Sequence, residues 1–323
     1  MTPASNSPLR IAALDLGSLT VRLAVAEVSP GGMKILAHHR EITALGEELA
    51  QTGFLTEAAM ARTIEALRGF SRLMEDYKVA AYDAVATHAV RQARDRRKFL
   101  DRIRDSLGLK VRVLTPEEEA RLSLQGVFSA LAPEYRAEAL VVFDVGGGSS
   151  EFTLARPGRE PVFAGLPMGV LILSQAHPLG DPPRPERLAA LRQKLERQLS
   201  EFYEQFFAPH LSAPPRLVGT AGAVTTLAAM ALKMKEYDPG KVNNLILTRA
   251  RLDELTELIC GLTEAQRALL PGMEPGKAGV MPAGALIIQA ILRAFRQDSL
   301  VVIDVGLLEG VLLELISRRA KRP

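Results

Sequence analysis

Asp15-Leu-Gly-Ser-Leu-Thr20 and Asp144-Val-Gly-Gly-Gly-Ser-Ser150 are the two segments that decide the fold of this chain. Each starts with an aspartate at the end of an apolar run, passes through glycine and hydroxyl residues, and leads into another strand-like run. The chain has 323 residues, a length typical of two domains. Because the two segments recur in matching contexts, the sequence predicts two domains built on one plan.

Apolar periodicity predicts a similar order of elements around both segments. In the first half we expect strands at 10–16, 21–28, 33–38, 82–87 and 110–114, and helices at 57–77, 92–106 and 116–128. In the second half we expect strands at 140–144, 151–155, 162–165, 216–219 and 300–304, and helices at 186–207, 223–235, 252–262, 283–295 and 307–319. Strands that alternate with helices in this way predict α/β domains with helices packed on mixed sheets.

Composition argues against several classes of protein. The single cysteine, Cys260, excludes a disulfide framework and a cysteine-based metal site. The uncharged run 217–232 is shorter than the roughly 18 residues that a membrane helix needs, so we expect no membrane span. The opening stretch Met1–Pro8 has neither an apolar core nor a basic flank, so we expect no secretory signal and a cytoplasmic location.

Charge and aromatic content say less about the partner. A net charge of +3 is compatible with anionic ligands but does not identify one. Aromatic residues make up 5% of the chain and tryptophan is absent, so we expect no stacking surface for single-stranded nucleic acid.

The two quoted segments have the residue types that bind phosphate. Glycine allows backbone N–H groups to approach phosphate oxygens closely, and hydroxyl side chains add further donors. Neither segment fits the dinucleotide-binding or P-loop templates, because the chain continues into a strand rather than into a helix N-terminus. An ordinary hairpin turn, with Asp15 and Asp144 forming Asx turns, is the simpler alternative for either segment alone.

Five motifs in a fixed order give a more specific interpretation. They are the first segment at Asp15, Ala-Thr87-His-Ala-Val-Arg91-Gln-Ala, Glu117-Glu-Glu119-Ala-Arg-Leu, Asp144-Val-Gly-Gly-Gly-Ser-Ser-Glu151 and Gly219-Thr-Ala-Gly-Ala-Val-Thr-Thr226. Over nearly its whole length the chain thereby resembles the Ppx/GppA exopolyphosphatase and guanosine pentaphosphate phosphohydrolase family of the actin-like ATPase superfamily. The resemblance implies two duplicated actin-like (ribonuclease H-like) α/β domains, at 1–128 and 129–306, with an interdomain cleft and with a closing helix, 307–323, packed back on the first domain.

The same resemblance assigns roles to residues. Glu119 would position or deprotonate the attacking water. Phosphate contacts would come from Asp15, Gly17, Ser18, Thr20, Arg91, Gly146, Gly147, Gly148, Ser149 and Ser150. Acids beside phosphate loops would repel the substrate unless a divalent cation intervened, so Mg²⁺ is implied, with Asp144 and Glu151 as its ligands.

The residues themselves leave other interpretations open. Arg91 on its own is as compatible with a solvated arginine among its basic neighbours, and the acids Glu117–Glu119 with compensation of a helix dipole. His88, at the end of a predicted strand, is more typical of a structural histidine, and we do not place it in the catalytic set. The segment Gly219–Thr226 is typical of a helix N-terminus that contacts an anion, or of simple strand-to-helix packing.

The implied reaction is Mg²⁺-dependent hydrolysis of the terminal phosphoanhydride of inorganic polyphosphate. Alternatives are hydrolysis of the 5′-phosphate of guanosine pentaphosphate, a non-catalytic regulator that binds guanosine penta- or tetraphosphate, and a kinase of the same superfamily. A homodimer is one compatible assembly. The chain departs from the family pattern at Leu19, where asparagine is common, and at Gly279, Val305 and Leu308, where an acid and two arginines are expected.

Overall fold

The computed structural model describes residues 9–274 and 276–320. The expected absence of a signal in Met1–Pro8 and the last three residues of the predicted closing helix therefore lie outside the described residues. Two compact units account for the chain: unit 1 comprises Met1–Thr115 with Leu307–Pro323, and unit 2 comprises Pro116–Gly306. The division precedes the boundary expected at 128, because the helix that begins at Pro116 packs on strands of unit 2.

Eleven strands and thirteen α-helices are present within the described residues. The strands are β1 Leu9–Leu16, β2 Thr20–Ser29, β3 Gly32–Ile42, β4 Ala81–Ala86, β5 Val111–Val113, β6 Leu140–Val145, β7 Ser150–Arg156, β8 Arg159–Leu166, β9 Arg216–Thr220, β10 Leu245–Thr248 and β11 Ser299–Val302. The helices are α1 Leu49–Thr52, α2 Glu57–Asp76, α3 His88–Gln92, α4 Arg96–Leu107, α5 Pro116–Ala130, α6 Val170–Ala176, α7 Pro185–Phe206, α8 Ala221–Ala231, α9 Pro239–Val242, α10 Arg249–Gly261, α11 Glu264–Arg267, α12 Met281–Ala294 and α13 Leu307–Ala320. Short 3₁₀ turns occupy Pro133–Ala137 and Ala208–His210.

The two sheets share a five-stranded topology, to which the sheet of unit 2 adds β10, antiparallel to β11, at its edge. In unit 1 the order is β3-β2-β1-β4-β5, with β1, β2 and β3 antiparallel and with β4 and β5 parallel to β1. In unit 2 the order is β10-β11-β9-β6-β7-β8, in which β6, β7 and β8 repeat the antiparallel part and β9 and β11 the parallel part. The predicted α/β fold and its duplication are therefore confirmed.

Helix α2 shows how unit 1 closes its core. Thr56 caps the helix by accepting a hydrogen bond from the N–H of Ala59, as expected for an N-cap threonine. Buried residues then recur at helical spacing, including Met60, Leu67 and Phe70, and they join the apolar cluster formed with β1 and β2. In unit 2, α12 is buried over almost its whole length and packs between α7 and α10.

The final helix belongs to unit 1 by its contacts. Helix α13 packs on β1, β2 and β4, and Val311 and Leu312 are fully buried. Its Glu314 accepts a hydrogen bond from Arg112, which also pairs with Asp83. Thus the last segment of the chain completes the unit that contains the first.

Some elements differ from the predictions. The predicted helix 92–106 is α4, which begins only at Arg96, because Ala93 has extended backbone; the short helix α3, which ends at Gln92, was not predicted. Helix α6 and strand β10 were not predicted, because a seven-residue apolar run and a four-residue run are too short for periodicity to identify. Among the described residues, no helix is both long enough and apolar enough to cross a membrane.

Candidate functional site

The turn between β1 and β2 contains four of the predicted phosphate residues. Gly17 N–H donates to the Thr20 carbonyl at 3.0 Å and closes the turn. Asp15 and Ser18 are 2% and 4% exposed, yet Asp15 Oδ1 and Ser18 Oγ have no hydrogen-bond partner among the described residues. Buried polar atoms in native proteins are nearly always hydrogen-bonded to protein, ordered water or a ligand, so these two atoms are open to a ligand or a water molecule.

A neighbouring segment donates hydrogen bonds to the carbonyls of this turn. The N–H groups of Thr43 and Ala44 donate to the Leu19 carbonyl, and Gly46 N–H donates to the Ser18 carbonyl at 2.8 Å. The turn's acceptors are thereby occupied. An anion is bound by backbone N–H groups that do not already donate to another group of the protein. The Leu19 side chain is apolar and buried, so it offers a ligand no polar contact.

The turn between β6 and β7 is built the same way. Gly146 N–H donates to the Ser149 carbonyl at 3.0 Å, which matches the bond from Gly17 to Thr20. Here the outside donors come from the start of α6: Val170 N–H bonds the Gly146 carbonyl and Leu171 N–H the Gly147 carbonyl, both at 2.9 Å. The two predicted loops therefore share the bond that closes the turn and are both held by donors from a neighbouring segment, although those donors reach Ser18 and Leu19 in one loop and Gly146 and Gly147 in the other.

Two residues, one in this second turn and one beside it, support its shape. The Ser150 hydroxyl is fully buried and donates to the Met168 carbonyl at 2.5 Å, so it holds the loop in place. Gly169, which the motif did not include, packs on the Gly147–Gly148 peptide so closely that a Cβ would overlap its backbone atoms. The tight packing of Gly169 only becomes apparent in three dimensions, because it lies outside the repeated segment.

The residues opposite the two aspartates differ between the units. Asp15 pairs in register with Arg22, whose Nε and Nη2 donate to Asp15 Oδ2 at 2.9 and 2.5 Å. Asp144 pairs in register with Glu151, so an acid stands where unit 1 has an arginine. Arg22 was missed by the sequence analysis, although it follows Asp15 at the same spacing as Glu151 follows Asp144.

The acid pair of unit 2 fits a divalent cation. Directly opposed residues of an antiparallel pair have Cβ atoms about 4.5–5.5 Å apart, so the two carboxylates can contact one cation together. Mg²⁺ typically uses one or two carboxylates together with water and phosphate oxygens. No group of three or more His, Cys, Asp or Glu side chains within the described ranges forms a dedicated metal cage. Asp144 and Glu151 therefore suit a metal that the substrate helps to bind.

Arg91 lies at the carboxyl end of the parallel strands of unit 1. It belongs to the short helix α3 after β4, and its Nη1 donates to the Leu114 carbonyl after β5 at 2.9 Å. This bond holds the guanidinium beside the strand ends, the edge at which α/β sheets bind ligands. The adjacent His88 is 8% exposed, and its burial, together with the charge of Arg91, lowers its pKa to about 4. His88 is thus neutral near pH 7.

Glu119 lies in the first turn of α5, which contacts β6, β7 and β8, and Val127 further along this helix joins an apolar cluster with Val142 of β6 and Val218 of β9. One turn further along the same face, Ser123 approaches Gly306 beside Thr220. Thr220 is the register partner of Asp144 on the neighbouring strand. Glu119 and Asp144 therefore lie toward the same edge of unit 2, where the parallel strands end.

Other polar groups lie near the positions at which unit 2 departs from the family pattern. Lys277 is 4% exposed and pairs with Glu274 at 2.5 Å, and its Nζ packs against Gly222 at the start of α8. A Cβ at Gly279 would meet the Glu264 carboxylate at 3.0 Å, so an acid from α11 occupies the space beside it. Val305 supplies a carbonyl that accepts from the Thr220 hydroxyl at 2.9 Å.

Duplicated actin-like α/β units, each with a phosphate-type turn after its first strand, define a phosphate-handling member of the actin-like class. Comparison with known proteins is more specific. The model of the Ppx/GppA phosphatase family matches residues 24–319. Exopolyphosphatase 2 of Mycobacterium tuberculosis is 32% identical over 95% of this chain and 98% of its own length.

Solved structures agree with this assignment. The Ppx/GppA family member of Aquifex aeolicus superposes with a TM-score of 0.80 at 32% identity, covering 97% of this chain and 99% of that one. An exopolyphosphatase from Cytophaga hutchinsonii, at 23% identity, shares the fold with a TM-score of 0.83 over 96% of this chain and 98% of that one. The chain belongs to the Ppx/GppA phosphatase family, and the enzyme class expected from its sequence, a phosphoanhydride hydrolase, is confirmed.

Proposed function

We propose that this enzyme hydrolyses the terminal phosphoanhydride of inorganic polyphosphate, with Glu119 directing the attacking water and with Mg²⁺ as cofactor. The observation that carries the proposal is the placement of Glu119 on the face of α5 that borders the strand end of Asp144. The name of the Mycobacterium tuberculosis relative, exopolyphosphatase 2, supports polyphosphate as the substrate.

Each group has a physical task in this reaction. From the resemblance to the family we assign the backbone N–H groups of the two turns and the guanidinium of Arg91 to phosphate oxygens, where they would neutralise the charge that spreads over those oxygens in the transition state. The Glu119 carboxylate accepts a proton from water and orients it for in-line attack. Asp144 and Glu151 would hold Mg²⁺, which when bound supplies positive charge to the phosphate oxygens. At the position in unit 1 that matches Asp144 and Glu151, Asp15 and Arg22 form an ion pair without net charge.

The test uses two acids of the same helical turn. Phosphate release is measured with long-chain polyphosphate, tripolyphosphate and guanosine pentaphosphate, with and without Mg²⁺. Glu119→Gln should lower kcat by about 10²–10⁴-fold, because a general base contributes on that order. Glu117→Gln, at an exposed position of the same turn, should change kcat by less than about twofold.

The outcomes separate the alternatives. Equal activity in the Glu119→Gln and Glu117→Gln variants would refute the role of Glu119. Phosphate release from guanosine pentaphosphate alone would identify that nucleotide, and not polyphosphate, as the substrate. Tight binding of the nucleotide without phosphate release would indicate a regulator. Asp144→Asn should raise the Mg²⁺ concentration needed for half-maximal rate, whereas an unchanged requirement would place the metal elsewhere.

A further inference from the structure

A basic cavity of about 500 Å³ lies between α6 and α7 in unit 2, outside the loops described above. Its charged walls are Arg187 and Lys194 of α7 and His177, which follows α6 directly. Ala176, Pro178, Leu179, Ala190 and Leu191 supply the apolar walls. A volume of this size is within the range of small-molecule sites.

The spacing of residues on α7 places both cations on one face. Arg187, Leu191 and Lys194 are separated by four and three residues, so they follow one another along a single side of the helix. Arg187 Nη1 donates to the Pro178 carbonyl at 2.8 Å, which fixes the guanidinium at the cavity mouth. Lys194 Nζ lies 2.7 Å from His177 Nε2. Because an ammonium group only donates, the imidazole ring accepts and is neutral.

The cavity contains positive charge without a balancing acid. None of its lining side chains is a carboxylate, and within the described residues neither Arg187 nor Lys194 forms an ion pair. Burial and the charge of Lys194 lower the pKa of His177. A dianion in the cavity would offset both cations and would reverse the effect of Lys194 on the ring. A monoanion such as a carboxylate would offset only one cation.

We infer that this cavity is a second phosphate site, which binds a phosphoryl group attached to a small apolar body or to a phosphate chain. An arginine fork and a lysine point charge together are a common arrangement for binding phosphate. The cavity is also connected to the Gly146 turn by α6, whose first residues bond the turn and whose C-cap is His177. Seven helical residues span about 10 Å, so a bound phosphate and the turn share one short rigid element.

The direct test is independent of hydrolysis. Phenylphosphonate, a dianion that has no phosphoanhydride bond, is titrated into the full chain while the His177 ring is followed by NMR and assigned with His177→Gln. We expect a saturable shift and a rise in the His177 pKa, and at least about tenfold weaker binding of benzoate. Arg187→Gln and Lys194→Gln should each weaken binding about tenfold or more, whereas Arg187→Lys, which keeps the charge but loses the fork, should weaken it less than Arg187→Gln does.

A matched control distinguishes a specific site from general charge. Arg159→Gln removes an exposed arginine of the same unit that has no ion pair among the described residues, and it should bind phenylphosphonate as the wild type does. No saturable shift of His177, or equal weakening in Arg159→Gln, would overturn the inference. Since Arg187 is exposed, its variant keeps the test valid if Lys194→Gln fails to fold.

Kinetics then identify the source of the phosphate, and this arm rests on the proposed function. If the substrate chain reaches the cavity, Lys194→Gln raises KM for long-chain polyphosphate but not for tripolyphosphate. If a separate phosphate compound binds, KM for both substrates is unchanged while phenylphosphonate binding is lost. Either result supports the site, and failure of hydrolysis in the wild type would affect only the proposed function.

Discussion

At the scale of single residues, the neighbours of a buried charged group or histidine determine how that group affects the stability of the protein. His88 occupies the strand end beside Arg91, where both burial and that charge disfavour its protonated form. Asp15 is buried against Arg22, which makes its carboxylate tolerable in the interior. Both residues should therefore contribute measurably to the free energy of unfolding.

His88 should make the protein less stable in weak acid. Its folded pKa of about 4 lies below the usual 6.5, so the unfolded chain binds the extra proton first as the pH falls. The contribution is complete above pH 6.5 and is lost progressively toward pH 4. Between pH 7.5 and 5 the free energy of unfolding should fall by about 2 kcal/mol more in the wild type than in His88→Gln. Urea unfolding at both pH values measures this, and parallel losses in the two proteins would contradict it.

Removal of Arg22 should destabilise unit 1. In Arg22→Met the Asp15 carboxylate, 3% exposed, loses its partner, at a cost of about 2–3 kcal/mol, since the arginine is itself partly exposed. Arg10, which pairs with Glu27 across the same two strands at 35% and 28% exposure, is the control, and Arg10→Met should cost about 1 kcal/mol or less. Denaturant midpoints give both values. Similar costs for the two variants would mean that Asp15 does not need Arg22.

At the scale of elements, short segments outside the motifs determine the shape of the phosphate turns. The start of α6 and the segment 43–46 each donate N–H groups to the carbonyls of one turn. The shape of each turn is therefore a property of two elements packed together. A glycine at the contact makes this packing possible.

Gly169→Ala should reduce phosphate release by about tenfold or more, because a Cβ there must displace the Gly147–Gly148 peptide and small displacements of catalytic groups are costly. Gly69→Ala in the middle of α2 is the control. Its Cβ would meet no atom within 4 Å, so the helix should gain about 0.5–1 kcal/mol and activity should be unchanged. Steady-state kinetics and thermal unfolding of both variants check this. Normal kinetics in Gly169→Ala would show that the turn tolerates the shift.

At the scale of the whole molecule, the chain returns to its first unit at the end. Helix α13 covers β1, β2 and β4, and its charged face joins Arg112 and Asp83 through Glu314 and Arg318. The unit that contains the first phosphate turn is therefore incomplete until the last helix has been added. Folding of unit 1 must involve contacts between the two ends of the chain.

Leu312→Ala should destabilise unit 1 selectively. Leu312 is fully buried, and such truncations cost about 2–5 kcal/mol because a cavity remains. Ser317→Ala, on the exposed part of the same helix, should be nearly neutral. Hydrogen exchange followed by mass spectrometry should show lost protection in β1, β2 and β4. Loss of protection confined to unit 2 would contradict the assignment of α13 to unit 1.

The amino-acid sequence predicts the duplicated α/β plan, the two glycine-bearing turns, the family and, through the family, the return of the closing helix to the first unit. These features depend on apolar strands, glycine turns and the order of motifs along the chain. Features that depend on register and packing become visible only in the folded chain. Arg22 lies against Asp15 but Glu151 against Asp144, and Gly169 packs against the second turn. Such contacts join residues distant in sequence, so no local pattern predicts them, and buried neighbours then determine charge and hydrogen bonding.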